Sequence, residues 1–245
     1  MAGSKLSLQA ALNGSRTPAE HPAIPHTPDE IAEAARTSVA AGADLVHVHA
    51  YDEDGTETMA AGPCAAVVKA IRAACPGTAI SLTTASYLAP DPRRRLEIVA
   101  AWTELPDVVT ANQGEHGIVE LCHLLLERGI GIEAGLLTLD DVQAFVRSGL
   151  AGRCTRALIE PLDADPAEAV AHAAAMEELL AAAEVGLEQV HHGDGVAGFA
   201  VNARAVPRGH GIRTGLEDTT VLPDGQRAPD NAALVRIAAE MLGAG

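Results

Sequence analysis

The strongest constraint on the fold is a strict alternation of strand-like and helix-like segments along the 245 residues of the chain. Each strand candidate is short, apolar and bounded by Gly, Pro, Asp or Asn, as is typical of buried parallel strands. The segments between them carry helix start signals, for example Thr27-Pro28 and Asp165-Pro166, where a capping side chain precedes a proline. The strand candidates are Lys5–Asn13, Asp44–Tyr51, Ala79–Ala85, Asp107–Asn112, Gly131–Leu137, Thr155–Leu162, Gln189–Gly193 and Gly211–Leu216.

Eight strands that alternate with eight helices predict a (β/α)8 TIM barrel. A doubly wound open sheet has the same alternation and is the alternative. The G-x-G-x-x-G fingerprint of dinucleotide-binding open sheets is absent after the first strand, which ends in Asn13-Gly14-Ser15-Arg16. No linker divides the chain, and its 48% of hydrophobic residues suffices for one core. We therefore expect one TIM-barrel domain over residues 1–245, with Ser15–His26 as a loop after the first strand.

Charge and cysteine content narrow the class of protein. The formal net charge of −16 argues against binding to nucleic acid or to a membrane surface. The four cysteines have no C-x-x-C spacing and are expected to be reduced, buried thiols. No leader pattern precedes the first strand, and no apolar run reaches the ~20 residues that span a bilayer. These features predict a cytoplasmic protein.

Two histidines in one predicted strand suggest a metal site. His47 and His49 alternate with apolar residues, so their side chains point to the same face. Glu217 follows the last strand, which barrel closure places beside the first strand and so near the second. Two imidazoles and one carboxylate leave an open position on a divalent ion, as in catalytic zinc sites. The alternatives are satisfied core histidines, or a metal ligand at His191 or His192.

Polar residues fall at the carboxyl ends of the predicted strands, where the active sites of barrel enzymes lie. Arg213 and Glu217 share inward parity, whereas Asp218 needs a turn to face inward, and we predict one. An Arg–Asp pair beside a metal provides a base, a group that orients it and a holder for an anion; the alternative is a surface salt bridge. The polar residues at these ends are Asn13, His47, His49, Thr83, Thr84, Ser86, Thr110, Asn112, Glu133, Glu160, His191, His192, Asp194, Arg213, Glu217 and Asp218.

Several sequence patterns together resemble the family of β-keto acid cleavage enzymes. The resemblance covers nearly the whole chain, and the combination of H-x-H with R-x-G-L-E-D is specific. The patterns are Asn13-Gly14-Ser15-Arg16 followed by His21–Ile31, then Ala41–His49, Leu82-Thr83-Thr84 and Arg213–Thr219.

The resemblance implies a zinc-dependent TIM barrel, usually a homotetramer. Such an enzyme converts a β-keto acid and acetyl-CoA into acetoacetate and a new CoA thioester. Another divalent metal is the alternative to zinc. By resemblance, the metal ligands fall on His47, His49 and Glu217, the catalytic Arg–Asp pair on Arg213 and Asp218, hydroxyl groups on Thr83 and Thr110, and a supporting acid on Glu133.

Two departures from the family pattern concern the substrate. Some members carry a glutamate after the first-strand glycine, where this chain has Ser15-Arg16, and the region Asn112–Glu115 is compressed. A cationic Arg16 disfavours a positively charged amino group. We therefore expect cleavage of a neutral or acidic β-keto acid, with 3-keto-5-aminohexanoate a poor substrate. Candidate contacts to substrate or cofactor are Asn13, Arg16, Thr84, Ser86 and Asn112.

Two other functions stay open at this level. A metal-dependent keto-acid aldolase or lyase without CoA would use the same ligands, and an inactive barrel would only hold the metal. The presence of Arg213, Glu217 and Asp218 together argues against an inactive site. By loop position, candidates for binding the phosphates of CoA are Arg16, Arg204, Arg208 and His210.

Overall fold

A computed structural model describes residues 5–243, in which eight parallel strands form a closed barrel. The first strand pairs with both the second and the last strand of the barrel, which closes the sheet. This arrangement confirms the predicted TIM barrel and rules out the open sheet. Residues 1–4 and 244–245 of the predicted domain lie outside the described residues.

The secondary-structure elements follow the predicted alternation with one addition, a hairpin after the second strand. The strands are β1 (Leu8–Ala11), β2 (Leu45–Val48), β3 (Ala50–Tyr51), β4 (Glu57–Thr58), β5 (Ala79–Thr83), β6 (Val108–Asn112), β7 (Gly131–Leu136), β8 (Arg156–Ile159), β9 (Glu188–His191) and β10 (Gly211–Thr214). The hairpin consists of β3 and β4, and the other strands form the barrel. The helices of the described chain are α1 (Pro28–Ala40), α2 (Ala61–Ala74), α3 (Pro92–Ala100), α4 (Ile118–Glu127), α5 (Leu139–Ser148), α6 (Pro166–Ala182), α7 (Ala197–Ala205) and α8 (Asn231–Gly243).

Side-chain caps explain where several helices begin. The hydroxyl groups of Thr27 and Thr138 accept the N–H of the third residue of α1 and α5, and both helices have a complete capping box. Asp165 accepts the first N–H groups of α6, and a proline follows it. The start signals at Thr27-Pro28 and Asp165-Pro166 therefore predicted α1 and α6 correctly.

A buried polar layer fills part of the barrel interior below the strand ends. Glu133 on β7 is fully buried, and its carboxylate accepts hydrogen bonds from Nε of Arg156 at 2.8 Å and Nε2 of Gln9 at 3.2 Å. Burial opposes the charged form of Glu133, but Arg156, His47 and Ser81 together outweigh it and keep the pKa of Glu133 below its ordinary value. The supporting acid implied by the resemblance thus has a buried ionic partner.

Two further features considered in the sequence, the cysteines and the hydropathy of the helices, can be compared with the structure. All four cysteines are buried and unbridged, and burial raises the pKa of Cys64 to about 12. Across residues 5–243, no helix combines the length and apolar character needed to cross a bilayer.

Candidate active site and metal centre

An open cavity of about 590 Å³ lies at the carboxyl ends of the barrel strands. Side chains from the ends of β2, β5, β6, β8 and β10 line it, together with the loop after β1. This is the face on which TIM-barrel enzymes hold their catalytic groups. The cavity therefore contains the candidate active site.

His47, His49 and Glu217 converge on one wall of this cavity. The Nε2 atoms of both histidines lie 3.6 Å from Oε1 of Glu217. Ligands of a tetrahedral zinc ion with bonds of ~2.0–2.1 Å are ~3.3 Å apart. Oε2 of Glu217 is buried and has no hydrogen-bond partner among the described residues. Two imidazole nitrogens and a carboxylate that meet in this way fit a divalent metal ion.

Buried hydroxyl groups fix the orientation of His47. Its Nδ1 lies 2.9 Å from Oγ of Ser81 and 3.3 Å from Oγ1 of Thr110. Ser81 donates its own hydrogen to Glu133, so its oxygen accepts the Nδ1 proton of His47 and Nε2 keeps its lone pair. Burial lowers the pKa of His47 to about 4. The imidazole is therefore neutral and presents Nε2 as a metal ligand.

A carboxylate from the hairpin orients His49. Nδ1 of His49 lies 2.5 Å from Oε1 of Glu57, and the hydroxyl of Tyr87 donates to the same oxygen at 2.7 Å. Burial disfavours a charged His49, but Glu217 and Glu57 outweigh it and raise the pKa of His49 to about 9. Carboxylate–histidine contacts of this kind orient metal-binding imidazoles, and metal binding at Nε2 would displace a proton.

The last barrel strand ends earlier than the sequence predicted, and this aims the acidic residues. β10 ends at Thr214 rather than Leu216. A Cβ at Gly215 would lie 1.9 Å from the carbonyl oxygen of Ala11, so only glycine lets the chain approach β1 at this point. The N–H of Asp218 donates to the carbonyl of Gly215 at 3.0 Å. The turn predicted before Asp218 is therefore present.

Arg213 binds both acidic residues of this turn. Its Nη2 donates to Oε1 of Glu217 at 2.5 Å and to Oδ1 of Asp218 at 2.8 Å. Burial opposes charge on both carboxyls. For Glu217 the combined influence of Arg213, His47 and His49 outweighs burial and holds the pKa well below its ordinary value, and for Asp218 that of Arg213 and His192 lowers the pKa. Arg213 and Glu217 line the cavity. Asp218 is 7% exposed, lies outside the cavity lining and contacts Arg213. The predicted Arg–Asp pair is thus a buried pair.

Gly14 provides the space that Glu217 occupies. It has a φ of +57°, and a Cβ there would lie 2.5 Å from Cγ of Glu217. We expect Gly14→Ala to displace this carboxylate and to weaken zinc binding about 10- to 100-fold, as measured by competition with a chelator. Gly129→Ala is the matched control, since Gly129 has a φ of +73° and nothing within 4 Å of its Cβ. Equal zinc affinity in both variants would argue against Glu217 as a ligand.

Four further residues that were predicted to take part in catalysis or in substrate binding line the cavity, namely Thr83, Thr110, Asn112 and Arg16. Arg16 donates through Nε to the carbonyl of Glu217 at 2.9 Å. Its Nη2 lies 3.3 Å from a carboxylate oxygen on the loop after β9. The positive charge that the substrate prediction used is therefore partly neutralised.

Other predicted residues lie away from the cavity lining. Asn13 bonds to the backbone of His49 through both amide atoms, and the hydroxyl of Thr84 donates to a backbone carbonyl. Ser86 begins a single helical turn after β5, and Glu133 lies beneath His47 and reaches it through a serine hydroxyl. These positions are typical of residues that shape the site, and direct contact with substrate stays a prediction.

Several residues that hold the site were not selected from the sequence. Ser81 precedes Thr83 by two residues and shares its inward parity, which is a signal that could have identified it. Arg156 could have been sought as the partner that buried Glu133 requires. Glu57 had no comparable signal, because its position depends on a hairpin that bends back over the end of β2.

A second His/Glu group lies outside the cavity lining and consists of Glu177 on α6, His191 at the end of β9 and His210 just before β10. The two imidazole rings are stacked in parallel, with centroids 4.8 Å apart and an interplanar angle of 14°, so their in-plane lone pairs do not converge. Arg204 and Arg208 already bind the carboxylate of Glu177. Arg204, Arg208 and His210 lie where the chain passes from the end of α7 to the start of β10, and the catalytic face is at the other ends of the strands. The prediction that these three residues contact CoA at the catalytic face is therefore wrong.

The barrel and its His–Glu cluster define a TIM-barrel enzyme with a candidate site for a divalent metal. The sequence profile of a family described as beta-keto acid cleavage enzyme matches residues 5–184 and 139–244. The chain belongs to this family, which confirms the resemblance seen in the sequence patterns. It is therefore an enzyme of the β-keto acid cleavage type.

Two relatives of this chain are 3-keto-5-aminohexanoate cleavage enzymes. The relative from Fusobacterium nucleatum is 28% identical, and the alignment covers 94% of this chain and 89% of the relative. The relative from Acetoanaerobium sticklandii is 25% identical with the same two coverages.

Solved structures with similar folds include ObcA and a dehydratase. Apo ObcA has a TM-score of 0.72 at 18% identity, with 91% of this chain and 62% of the ObcA chain covered. A ternary complex of ObcA with a C4-CoA adduct and oxalate has a TM-score of 0.72 at 17% identity, with 64% of that chain covered. The 3-dehydroquinate dehydratase from Geobacillus kaustophilus has a TM-score of 0.64 at 13% identity. These likenesses show the fold, and the chain spans less than two thirds of ObcA.

Proposed function

We propose that this protein is a zinc-dependent enzyme that cleaves a β-keto acid with acetyl-CoA, releasing acetoacetate and a new CoA thioester. The carbon between the keto group and the carboxylate loses a proton and attacks the acetyl group of acetyl-CoA, which releases the thiolate of coenzyme A. The thiolate then attacks the original keto carbon, the bond between that carbon and its neighbour breaks, and the acetoacetate carbanion that leaves takes up a proton. The observation that carries the proposal is the convergence of His47, His49 and Glu217 beside Arg213 in a cavity of this family's barrel.

The residues of the cavity supply binding, charge and proton transfer. A bound zinc ion would act as a Lewis acid that stabilises an enolate of the keto acid. Arg213 presents a buried cation at the cavity wall, where it attracts the carboxylate of the substrate. The hydroxyl groups of Thr83 and Thr110 line the same cavity and offer hydrogen bonds to substrate oxygens. Asp218 lies outside the cavity lining, is ionised and is held by Arg213, which does line the cavity. We assign to Asp218 the role of the base that accepts the proton from the carbon between the two carbonyl groups and returns it to the acetoacetate carbanion.

The proposed use of acetyl-CoA rests on membership of the family. The residues of the cavity do not by themselves indicate it. A structure of ObcA in complex with a C4-CoA adduct is in keeping with it. The family resemblance also leads us to propose a homo-oligomer, a tetramer, that works in the cytoplasm.

The proposal is tested by elemental analysis of the purified protein and by turnover of acetyl-CoA with a panel of β-keto acids. We expect one zinc ion per chain, with acetoacetate and a new CoA thioester formed in equal amounts. Cleavage that proceeds equally well without acetyl-CoA would instead identify an aldolase or lyase. Stoichiometric metal with no turnover of any keto acid would identify a barrel that only holds the metal.

A further inference from the structure

Glu160 is an acidic residue of the cavity that the proposed reaction does not yet use. It directly follows β8, lines the cavity and has a side chain that is 23% exposed. Among residues 5–243, no hydrogen bond reaches its carboxyl group from another side chain or from the backbone. Its contact in an ion-pair geometry is His192, with Nε2 of the imidazole 3.6 Å from Oε2. A cavity-facing carboxyl group without a hydrogen bond is available to a ligand.

The order of the strands places Glu160 across the cavity from the metal ligands. β8 is separated from β1 by β9 and β10, whereas the histidine pair lies at the end of β2 on the other side of β1. Arg213 on β10 lies between the two walls and contacts Glu217. A keto acid whose oxygens face the metal ligands and Arg213 can therefore extend its far end towards Glu160.

The hydrogen-bonding capacity of the Glu160 carboxyl group indicates the kind of ligand group that it can bind. Burial raises the pKa of Glu160 above its ordinary value, against the opposing influence of His192 and Arg213. A protonated carboxyl group donates and accepts hydrogen bonds, and an ionised one accepts them. A hydroxyl group has the same two capacities and is therefore a complementary partner.

We propose that Glu160 selects β-keto acids that carry a neutral hydroxyl group at the end distant from the carboxylate. This inference rests on the proposed function and names the substrate class of the same site. An alkyl group at this place would cover the half-buried carboxyl without offering it a hydrogen bond, which is unfavourable. An ammonium group would share the cavity with Arg213 and a divalent ion, and like charges in one cavity oppose binding.

The experiment measures the binding of unreactive ligands to the zinc-loaded protein by calorimetry. The ligands are hexanoate, 5-hydroxyhexanoate and 5-aminohexanoate, which lack the keto group and cannot be cleaved. We expect the wild type to bind 5-hydroxyhexanoate about 3- to 10-fold more tightly than hexanoate, in line with one hydrogen bond to a half-buried carboxyl group. Glu160→Leu should abolish this ratio, and Glu160→Gln, which keeps a donor and an acceptor, should largely retain it.

A control and a turnover assay separate the possible failures. Glu20→Gln removes another carboxylate from the cavity lining and should leave the ratio unchanged. Equal affinity for hexanoate and 5-hydroxyhexanoate, or an undiminished ratio in a folded Glu160→Leu protein, would overturn the inference. So would tightest binding of 5-aminohexanoate. A hydroxyl preference that depends on Glu160, combined with no CoA thioester from any keto acid, would instead overturn the proposed function and leave the contact with Glu160 supported.

Discussion

The double variant His47→Ala/His49→Ala is expected to lose its metal, from about one ion per chain to almost none, and all turnover with it. The variant removes two of the three protein ligands that converge in the cavity, and a single carboxylate does not retain a catalytic zinc ion. The fold should persist, because the barrel core is formed by apolar side chains. Elemental analysis measures the metal, and circular dichroism measures the fold.

The control for this variant removes two histidines that lie on helices away from the cavity. His123 is exposed on α4, and His172 is half-buried on α6 beside Asp163. The variant His123→Ala/His172→Ala should keep both metal and turnover. Stoichiometric metal in His47→Ala/His49→Ala would show that the ion is bound elsewhere, and the assignment of the site would then be wrong.

The variants Asp218→Asn and Arg213→Ala are expected to lose about 10²- to 10⁴-fold in turnover, as is typical when a base is removed from the chemical step. Both should keep their metal, since neither residue belongs to the cluster of candidate ligands. Asp218→Asn is the sharper test, because asparagine can still accept a hydrogen bond from Arg213 but cannot take up a proton. The measurement is kcat for acetyl-CoA-dependent cleavage, beside the metal content of each variant.

Asp224→Asn is the matched control for this pair. Asp224 lies in the exposed loop after β10 and binds Gln226 of the same loop, so its variant should have normal kcat. A near-normal kcat in Asp218→Asn would show that Asp218 only holds Arg213 in place. The acceptor of the substrate proton would then have to be sought elsewhere in the cavity.

The barrel was predictable because its strands are short apolar segments separated by capped helices. Thr27, Thr138 and Asp165 act through hydrogen bonds to backbone groups within three residues, and such local interactions are legible in a sequence. Strand ends were less predictable. β10 stops at Thr214 because Gly215 packs against the backbone of Ala11, and that contact joins residues far apart in the chain.

The residues of the candidate site also fall into two groups, those that local spacing predicts and those that long-range contacts position. The same-face relation of His47 and His49 follows from their spacing, since alternate residues of an extended chain point to one side. The groups that orient them depend on longer range contacts, with Glu57 supplied by a hairpin and Ser81 by the neighbouring strand. The prediction that Arg204, Arg208 and His210 contact CoA failed for the same reason, since position in a loop does not say which end of the barrel a loop lies on.

Spacing and local capping were enough to predict the alternation of strands and helices, the family patterns and the residue types able to bind a metal. The folded chain was needed to show that Glu217 meets both histidines, that Arg213 binds Glu217 and Asp218 together, and that Glu160 faces the cavity with no hydrogen bond to its carboxyl group from residues 5–243. Barrel closure brings residues from β2 and from the turn after β10 together across most of the chain length. Distances between such residues follow from strand register and turn geometry, which local spacing does not specify.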